Sequence, residues 1–401
     1  MAQPIGSTLV GAKLSTLGVD AAAALPTTYE VLPQAVARRS SEIREANADT
    51  FFAAKAAALD QAAPRGTAQG GTLNLTATRM NLEGRTLFKS GGELNVNSEK
   101  IRVVSNAEAS KIASSEHPDA LILTASQLNA MGVTSMMLGG VRQDQSADVA
   151  DGHSSGGARQ AVVSATDVTI DQGVNLHAAG DIILAATDKV QISDGARVEA
   201  TGTTPAEALA FDGDGALVRV SADSTASSAR ANALREKGEV VLGEGVVLKG
   251  GALTVESTQR TAVTGSASFA ADSVTVGAAR IALGDGAAQV LSDAGDTSTL
   301  LLNPALAAQL SQVKDLTLRS FDGVDFIGQA ALGSDTQRRL VLDSAALRVL
   351  DGTSGQPSVA QVKAGSVMWT NTTGVSAGVL DVATEGSRLT LSATGQGGAD
   401  G

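Results

Sequence analysis

Short phrases of alternating apolar residues recur along this chain at spacings near 21 residues, and that recurrence constrains the fold more than any other feature. Val168-x-Ile170-x-x-Gly173-x-x-Leu176 returns as Val190-x-Ile192-x-x-Gly195-x-x-Val198, and again as Val240-x-Leu242-x-x-Gly245-x-x-Leu248. A second phrase joins two apolar pairs across four residues: Leu73 and Leu75 with Met80 and Leu82, and Leu94 and Val96 with Ile101 and Val103. It recurs at Val274, Val276, Ile281 and Leu283, and at Leu340, Leu342, Leu347 and Val349. Leu73 to Leu94, Met80 to Ile101 and Leu253 to Val274 are each 21 residues, and Ala165-Thr166-Asp167 recurs 21 residues on as Ala186-Thr187-Asp188. Val367 and Leu389 are 22 apart.

Alternation sends every second side chain to one face, which is the signature of a strand. Strands this short are not stable alone. A period near 20 with several strands in each period marks a solenoid, whose coils bury their apolar faces on one another. Helical repeats would show a 3.6-residue period, and a hexapeptide helix a strict rhythm of six; neither is present. The sequence therefore predicts an all-β chain, a parallel β-helix of about 21 residues per coil. Gly173, Gly195 and Gly245 fall where the chain must turn sharply, in a left-handed conformation open to glycine. Roughly a dozen coils, each rising about 4.8 Å, give a rod on the order of 50–60 Å.

The composition agrees with a thin core of small and β-branched side chains: 43% of residues are hydrophobic but only 2% aromatic, and there are 44 glycines. The net charge of −12 and the absence of a basic run exclude sequence-independent binding of nucleic acid. With no cysteine there are no disulfides, thiolate metal sites or cysteine nucleophiles. No apolar stretch is long enough for a membrane-spanning helix, and the first residues lack the basic start of a signal peptide.

Residues 1–66 read as a helical and linker segment, with the helix within 30–63, rich in Ala, Glu and Lys, stopped by Pro64. Residues 67–395 form the β-helical part, interrupted at 105–119, 140–160, 203–237 and 299–313, and 396–401 form a flexible end. The first three interruptions read as polar loops, with a short helix possible within 222–237. The last reads as a strand end and a short helix.

Chemistry has few footholds. Gly152-His153-Ser154-Ser155-Gly156 fits G-x-S-x-G but lacks the strand and helix that a nucleophile elbow requires. In Phe211-Asp212-Gly213-Asp214-Gly215, Ala216 and Leu217 stand where a calcium loop needs an oxygen ligand and a glycine, so an acidic turn is expected. The equal offset of Asp167 and Asp188 would stack them on adjacent coils, as solvated strand-start aspartates or a weak calcium site. His117, His153 and His177 are isolated. Arg219 and Arg348 read as outward, solvated positions. No catalytic, cofactor-binding or metal-binding residue is expected, and no cofactor.

The segments LILTASQLNAMGVTSMMLGGVR (121–142), GEVVLGEGVVLKGGALTVEST (238–258) and LTLRSFDGVDFIGQAALGS (316–334), with GTLNLTATRMNLEG (71–84), resemble the central region of large exoproteins of the filamentous haemagglutinin family. The resemblance covers roughly 67–395. It implies a right-handed parallel β-helix, export by two-partner secretion through an outer-membrane transporter, and a place outside or on the surface of a Gram-negative cell. The expected function is the structural shaft of an adhesin that contacts a host-cell or bacterial receptor or glycan. The stem of a contact-dependent growth inhibition toxin is the alternative, and a β-helical polysaccharide-degrading enzyme a third. The family's secretion domain, with its Asn-Pro-Asn signature, has no counterpart here; Asn303-Pro304-Ala305 does not match it. The expectation is an internal piece of a longer exoprotein.

Overall fold

A computed structural model describes residues 8–12, 27–32, 51, 55, 58, 70–78, 80, 88, 91–112, 120–143, 158–352, 355–376 and 385–395. The chain divides into two compact units, Met1–Ala68 and Gln69–Gly401. In the first, Thr8–Ala12 pairs antiparallel with Thr27–Val31, a strand pair with no sign in the sequence reading. Phe51, Lys55 and Ala58 are helical, and the rest of the expected helix within 30–63 lies outside the described residues.

The second unit is predominantly β, and most of its pairings are parallel. Its long sheet runs in order through Thr72–Thr76, Glu93–Asn97, Ser135–Leu138, Asp181–Ala186, Ala216–Ser221, Ala252–Ser257, Ser273–Leu283, Asp315–Ile327, Arg339–Ser344 and Ser366–Thr370. At about 4.8 Å per strand, these span roughly 43 Å. A second sheet runs through Leu121–Thr124, Lys100–Val104, Asp167–Ile170, Lys189–Ile192, Glu239–Leu242 and Arg260–Val263. A third holds Asn175–Ala178, Arg197–Ala200, Val247–Lys249 and Ser268–Ala270. Farther along, Gln329–Gly333, Val359–Ala364 and Arg388–Ala393 form another parallel sheet.

From Asp167 to Leu283 the chain visits the second, third and long sheets in rotation, and the apolar phrases become columns. Val168 faces Val190, which faces Val240; Ile170, Ile192 and Leu242 form the next column, and Leu176, Val198 and Leu248 a third. Leu73 sits opposite Leu94 and Leu253 opposite Val274, as their 21-residue offsets predict. The inward residues, from Leu94 to Ala364, join one apolar cluster shared by the sheets. Each buried Leu, Ile or Val contributes about 1.5–3 kcal/mol. Gly173, Gly195 and Gly245 have φ of 68°, 66° and 66°, the left-handed turns their positions demand. Val367 and Leu389 do not stack; they face Leu340 and Ala360 in different sheets.

The stretches expected as polar loops hold more structure than their composition suggests. Within 105–119 lies the helix Asn106–Ile112. Gly140–Gln143 and Arg159–Val163 form an antiparallel pair, and Leu209–Asp212 and Ser228–Ala231 extend it into a four-stranded covering sheet. No helix occupies 222–237 among the described residues. The covering sheet packs on the outward side of the long sheet: Ala161, Leu209 and Phe211 meet Met137, Ile183, Ala185 and Leu217. Every residue of Asp181–Ala186 and Ala216–Ser221 is consequently buried. Between Phe211 and Ala216 the chain turns on Gly213 and Gly215 (φ 71° and 157°) and enters the long sheet reversed. Ala216–Ser221 thus lies antiparallel to both neighbours. The interruption at 299–313 is the expected strand Leu300–Leu302 and helix Pro304–Leu310. Its cap is Asn303, whose side chain accepts from the Leu306 amide at 2.9 Å, with Pro304 in the first turn.

Candidate binding groove

The outward face of the second sheet carries a polar groove. Alternation puts Ile101 and Val103, Val168 and Ile170, Val190 and Ile192, and Val240 and Leu242 into the core. The residues between them, Arg102, Thr169, Gln191 and Val241, stand in register on the opposite face, one per strand. Asp171 and Ser193, just past their strands, form a second row, with Gln172 and Asp194 in the turns. The helix Asn106–Ile112 supplies one wall through Glu108. The groove is open to solvent and has a volume of about 680 Å³.

One charged pair organises this surface. Arg102 Nε and Nη2 donate to the two oxygens of Asp171 at 2.8 and 2.7 Å, and Glu108 lies 4.0 Å from the same guanidinium. The bidentate geometry fixes the guanidinium plane across the strands. Asp194 Oδ1 accepts from the Glu244 amide at 2.8 Å. A side chain at position 243 would collide with that carboxylate, so Gly243 keeps the turn stack intact. What remains is a ladder of guanidinium, hydroxyl and amide groups on three neighbouring strands, ending at Val241 on the fourth. Such a surface can hydrogen-bond a polar, extended ligand.

Beside the groove runs a column of alternating charge: Lys100, Asp167, Lys189, Glu239 and Arg260 face one another in sequence across five strands. Lys100 Nζ lies 3.9 Å from Asp167, Lys189 Nζ lies 3.5 Å from Glu239, and Arg260 closes on Glu239. The stacking expected for Asp167 and Asp188 is therefore wrong by one residue. Asp167 faces Lys189, because the core register pairs Val168 with Val190, and Asp188 instead pairs with Lys237 at 3.2 Å. Opposite charges on neighbouring strands are stabilising and like charges destabilising. Lys189→Glu places three carboxylates in succession. It is expected to cost about 1 kcal/mol in low salt, shrinking as salt is added. Urea melts at two ionic strengths check this.

The other residues singled out in the sequence hold structural places. Asp212 accepts from Asn232 Nδ2 at 2.7 Å, and Asp214 from the amides of Arg235 and Glu236 at 2.7 and 2.8 Å. Burial works to raise the Asp214 carboxyl, but the backbone donors outweigh it and hold it below the usual carboxylate range. These bonds steady Asn232 and Arg235, two non-glycine residues at φ 55° and 67°. The acidic segment is a turn lock, as expected. His177 lies on the exposed side of Asn175–Ala178; His117, His153 and Ser154 lie outside the described residues. Arg219 is buried rather than solvated, and Arg348 is half-buried in an ion pair. Arg219, 1% exposed, bonds Asp181 at 2.6 Å beneath the covering sheet, and Arg348 clasps Asp325 at 2.6 and 2.7 Å. Among the described residues, no three His, Asp or Glu side chains converge as a metal site, and no helix is long and apolar enough to cross a membrane.

The groove residues Arg102 and Asp171 carried no mark in the sequence. They are 69 positions apart, and only the register brings them together. The DQG turn that holds Asp171 and the alternation that turns Arg102 outward were both visible; their meeting was not. No family model, curated protein or solved structure matches this chain.

Proposed function

We propose that residues 69–401 form a right-handed parallel β-helix, the shaft of a secreted or cell-surface adhesin of the filamentous haemagglutinin kind. The proposed partner of its polar groove is a glycan on a host or bacterial surface. The observation that carries the reading is the in-register parallel stacking of short strands over one continuous apolar core. That arrangement makes a stiff, extended body whose outward residues are free to vary. The two-partner export and the right hand of the coil follow from the sequence resemblance. The choice of a glycan rests on the groove: hydroxyls, amides and a fixed guanidinium, spaced evenly along the stack, match the regular hydroxyls of an extended polysaccharide better than they match an apolar peptide.

The test is to immobilise the 401-residue chain, screen a panel of polysaccharides, and follow the size of any polymer that binds. One class of polymer is expected to bind and to be released uncut. Arg102→Gln is expected to weaken binding about tenfold or more, as loss of a hydrogen bond from a charged group worth about 1.5–3 kcal/mol requires, and Gln191→Ala about two- to tenfold for a neutral bond. Gln191→Ala should leave the melting temperature unchanged. Binding indifferent to both substitutions removes the groove from the reading, and appearance of shortened polymer replaces the adhesin with an enzyme.

A further inference from the structure

Two strand edges stand open at the far end of the unit. Ser366–Thr370 pairs only with Arg339–Ser344, and Arg388–Ala393 only with Val359–Ala364, among the described residues. Apolar side chains gather there: Met368 is 48%, Trp369 57% and Leu391 41% exposed, while Val367 and Leu389 are partly buried against the end of the core. Trp369 is the single tryptophan of the chain, and it is not loose. Its register continues a column that runs through Val276, Leu318 and Leu342, each 0% exposed, and its Nε1 donates to the Ser344 carbonyl at 3.0 Å. Trp369 is the last member of this column among the described residues, and it is exposed where the earlier members are buried. A flat, apolar, hydrogen-bonding edge of this kind is a template for another strand.

The opposite end of the same sheet offers a matching strand. Thr72–Thr76 pairs only with Glu93–Asn97 among the described residues, and Leu73 and Leu75 are inward and half-buried. Two reversals around Ala216–Ser221 cancel, so Thr72–Thr76 points in the same direction as Ser366–Thr370. The two edges also share a pattern: Thr-Leu-Asn-Leu-Thr against Ser-Val-Met-Trp-Thr, polar ends with apolar residues at the second and fourth places.

We propose that copies of this chain join end to end. The Ser366–Thr370 edge of one copy takes the Thr72–Thr76 edge of the next as a parallel strand, with Leu73 over Val367 and Leu75 over Trp369. The interface is head-to-tail, so it propagates into linear oligomers rather than closing as a symmetric dimer. The inference uses the stacked-strand architecture but is independent of the glycan reading, since the groove lies on another face.

Trp369 reports on the joint directly, because all tryptophan signal comes from it. Sedimentation velocity, tryptophan emission and acrylamide quenching are followed together as the protein is concentrated from the low to the high micromolar range. Mass is expected to rise in whole protomers while emission shifts to the blue and quenching falls several-fold. Trp369→Asp and Leu75→Asp each block one end and should stay monomeric, with far-UV circular dichroism unchanged. Mixing the two variants leaves one good edge on each partner. The mixture is expected to stop at a dimer in which the Leu75→Asp copy's Trp369 is shielded. A monomer at every concentration, oligomers whose tryptophan stays open to acrylamide, or a mixture that does not pair would each overturn the proposal. None of these results would alter groove binding measured on the same protein.

Discussion

Glu256→Ala is expected to lower the unfolding free energy by about 3–5 kcal/mol, the cost of leaving buried charges without their partner. Glu256 is 1% exposed. One oxygen accepts from Arg230 Nε at 2.8 Å and the other from Arg319 Nη1 at 2.7 Å; Arg319 Nε in turn reaches Asp343 at 2.9 Å. Glu256, Gly277, Arg319 and Asp343 stand in register on four consecutive strands. The absent side chain of Gly277 is what lets the first and third of them meet, since a Cβ there would lie 2.7 Å from Glu256 Cγ. Arg230 comes from the covering sheet and also lies over the Phe211 ring at 5.4 Å, so Glu256 ties that sheet to the long one. Replacing all four charged members, Glu256, Arg230, Arg319 and Asp343, by apolar residues of similar volume should cost far less than the single change, because no charge is stranded. Chemical melts of the single and quadruple variants make the comparison.

The same carboxylate sets a pH dependence. Burial works to raise the Glu256 carboxyl, but the guanidiniums of Arg319 and Arg230 outweigh it and hold it below its ordinary value. A depressed folded pKa contributes stability that is complete above the unfolded value, near 4.3, and lost as pH falls through the folded one. The stability gap between the native protein and Glu256→Ala is thus expected to be widest near neutrality and to narrow in acid below about pH 4. A gap that stays constant down to low pH would contradict the assignment.

Gly139→Val is expected to be similarly damaging, at about 3 kcal/mol or more, from backbone strain and overpacking together. Gly139 has φ 106°, and a Cβ there would run into the Ala185 carbonyl of the neighbouring strand. It is also a junction: its carbonyl accepts from the amides of Ser164 and Ala165, and its amide donates to Val96. Here the chain leaves the long sheet at Leu138 for the covering sheet at Gly140. Forcing this point apart is expected to expose Met137, Ile183 and Leu217, so dye binding to apolar surface should appear before global unfolding in a thermal scan.

The apolar columns were legible because period-two alternation and a shared core leave one register that buries Val168, Val190 and Val240 together. The glycine turns were legible for a related reason, since a left-handed corner narrows the choice of residue. The covering sheet was not. Its strands, such as Arg-Gln-Ala-Val-Val and Ser-Ala-Arg-Ala, are polar on one face and short, and nothing local distinguishes them from loop. That omission propagated to Arg219: an arginine on the outward side of a strand reads as solvated unless a second layer is known to lie over it. The Asp167 and Asp188 offset misled because identical triplets mark positions in the turn, while pairing is set one residue later by the core. Arg102 and Asp171, far apart in the chain, met only through that pairing.

The alternating column from Lys100 to Arg260 gives the molecule a parity. Excising Val168–Lys189 would leave every apolar column continuous, yet it would bring Asp167 into the place of Lys189, directly against Glu239. Removing Val168–Glu239 would instead seat Asp167 between Lys100 and Arg260, opposite charge on both sides. The inner apolar columns are indifferent to whether rungs are lost or gained singly or in pairs, but the charge column is not. Within that column a change of length, by deletion or duplication, is therefore smooth in even steps and frustrated in odd ones.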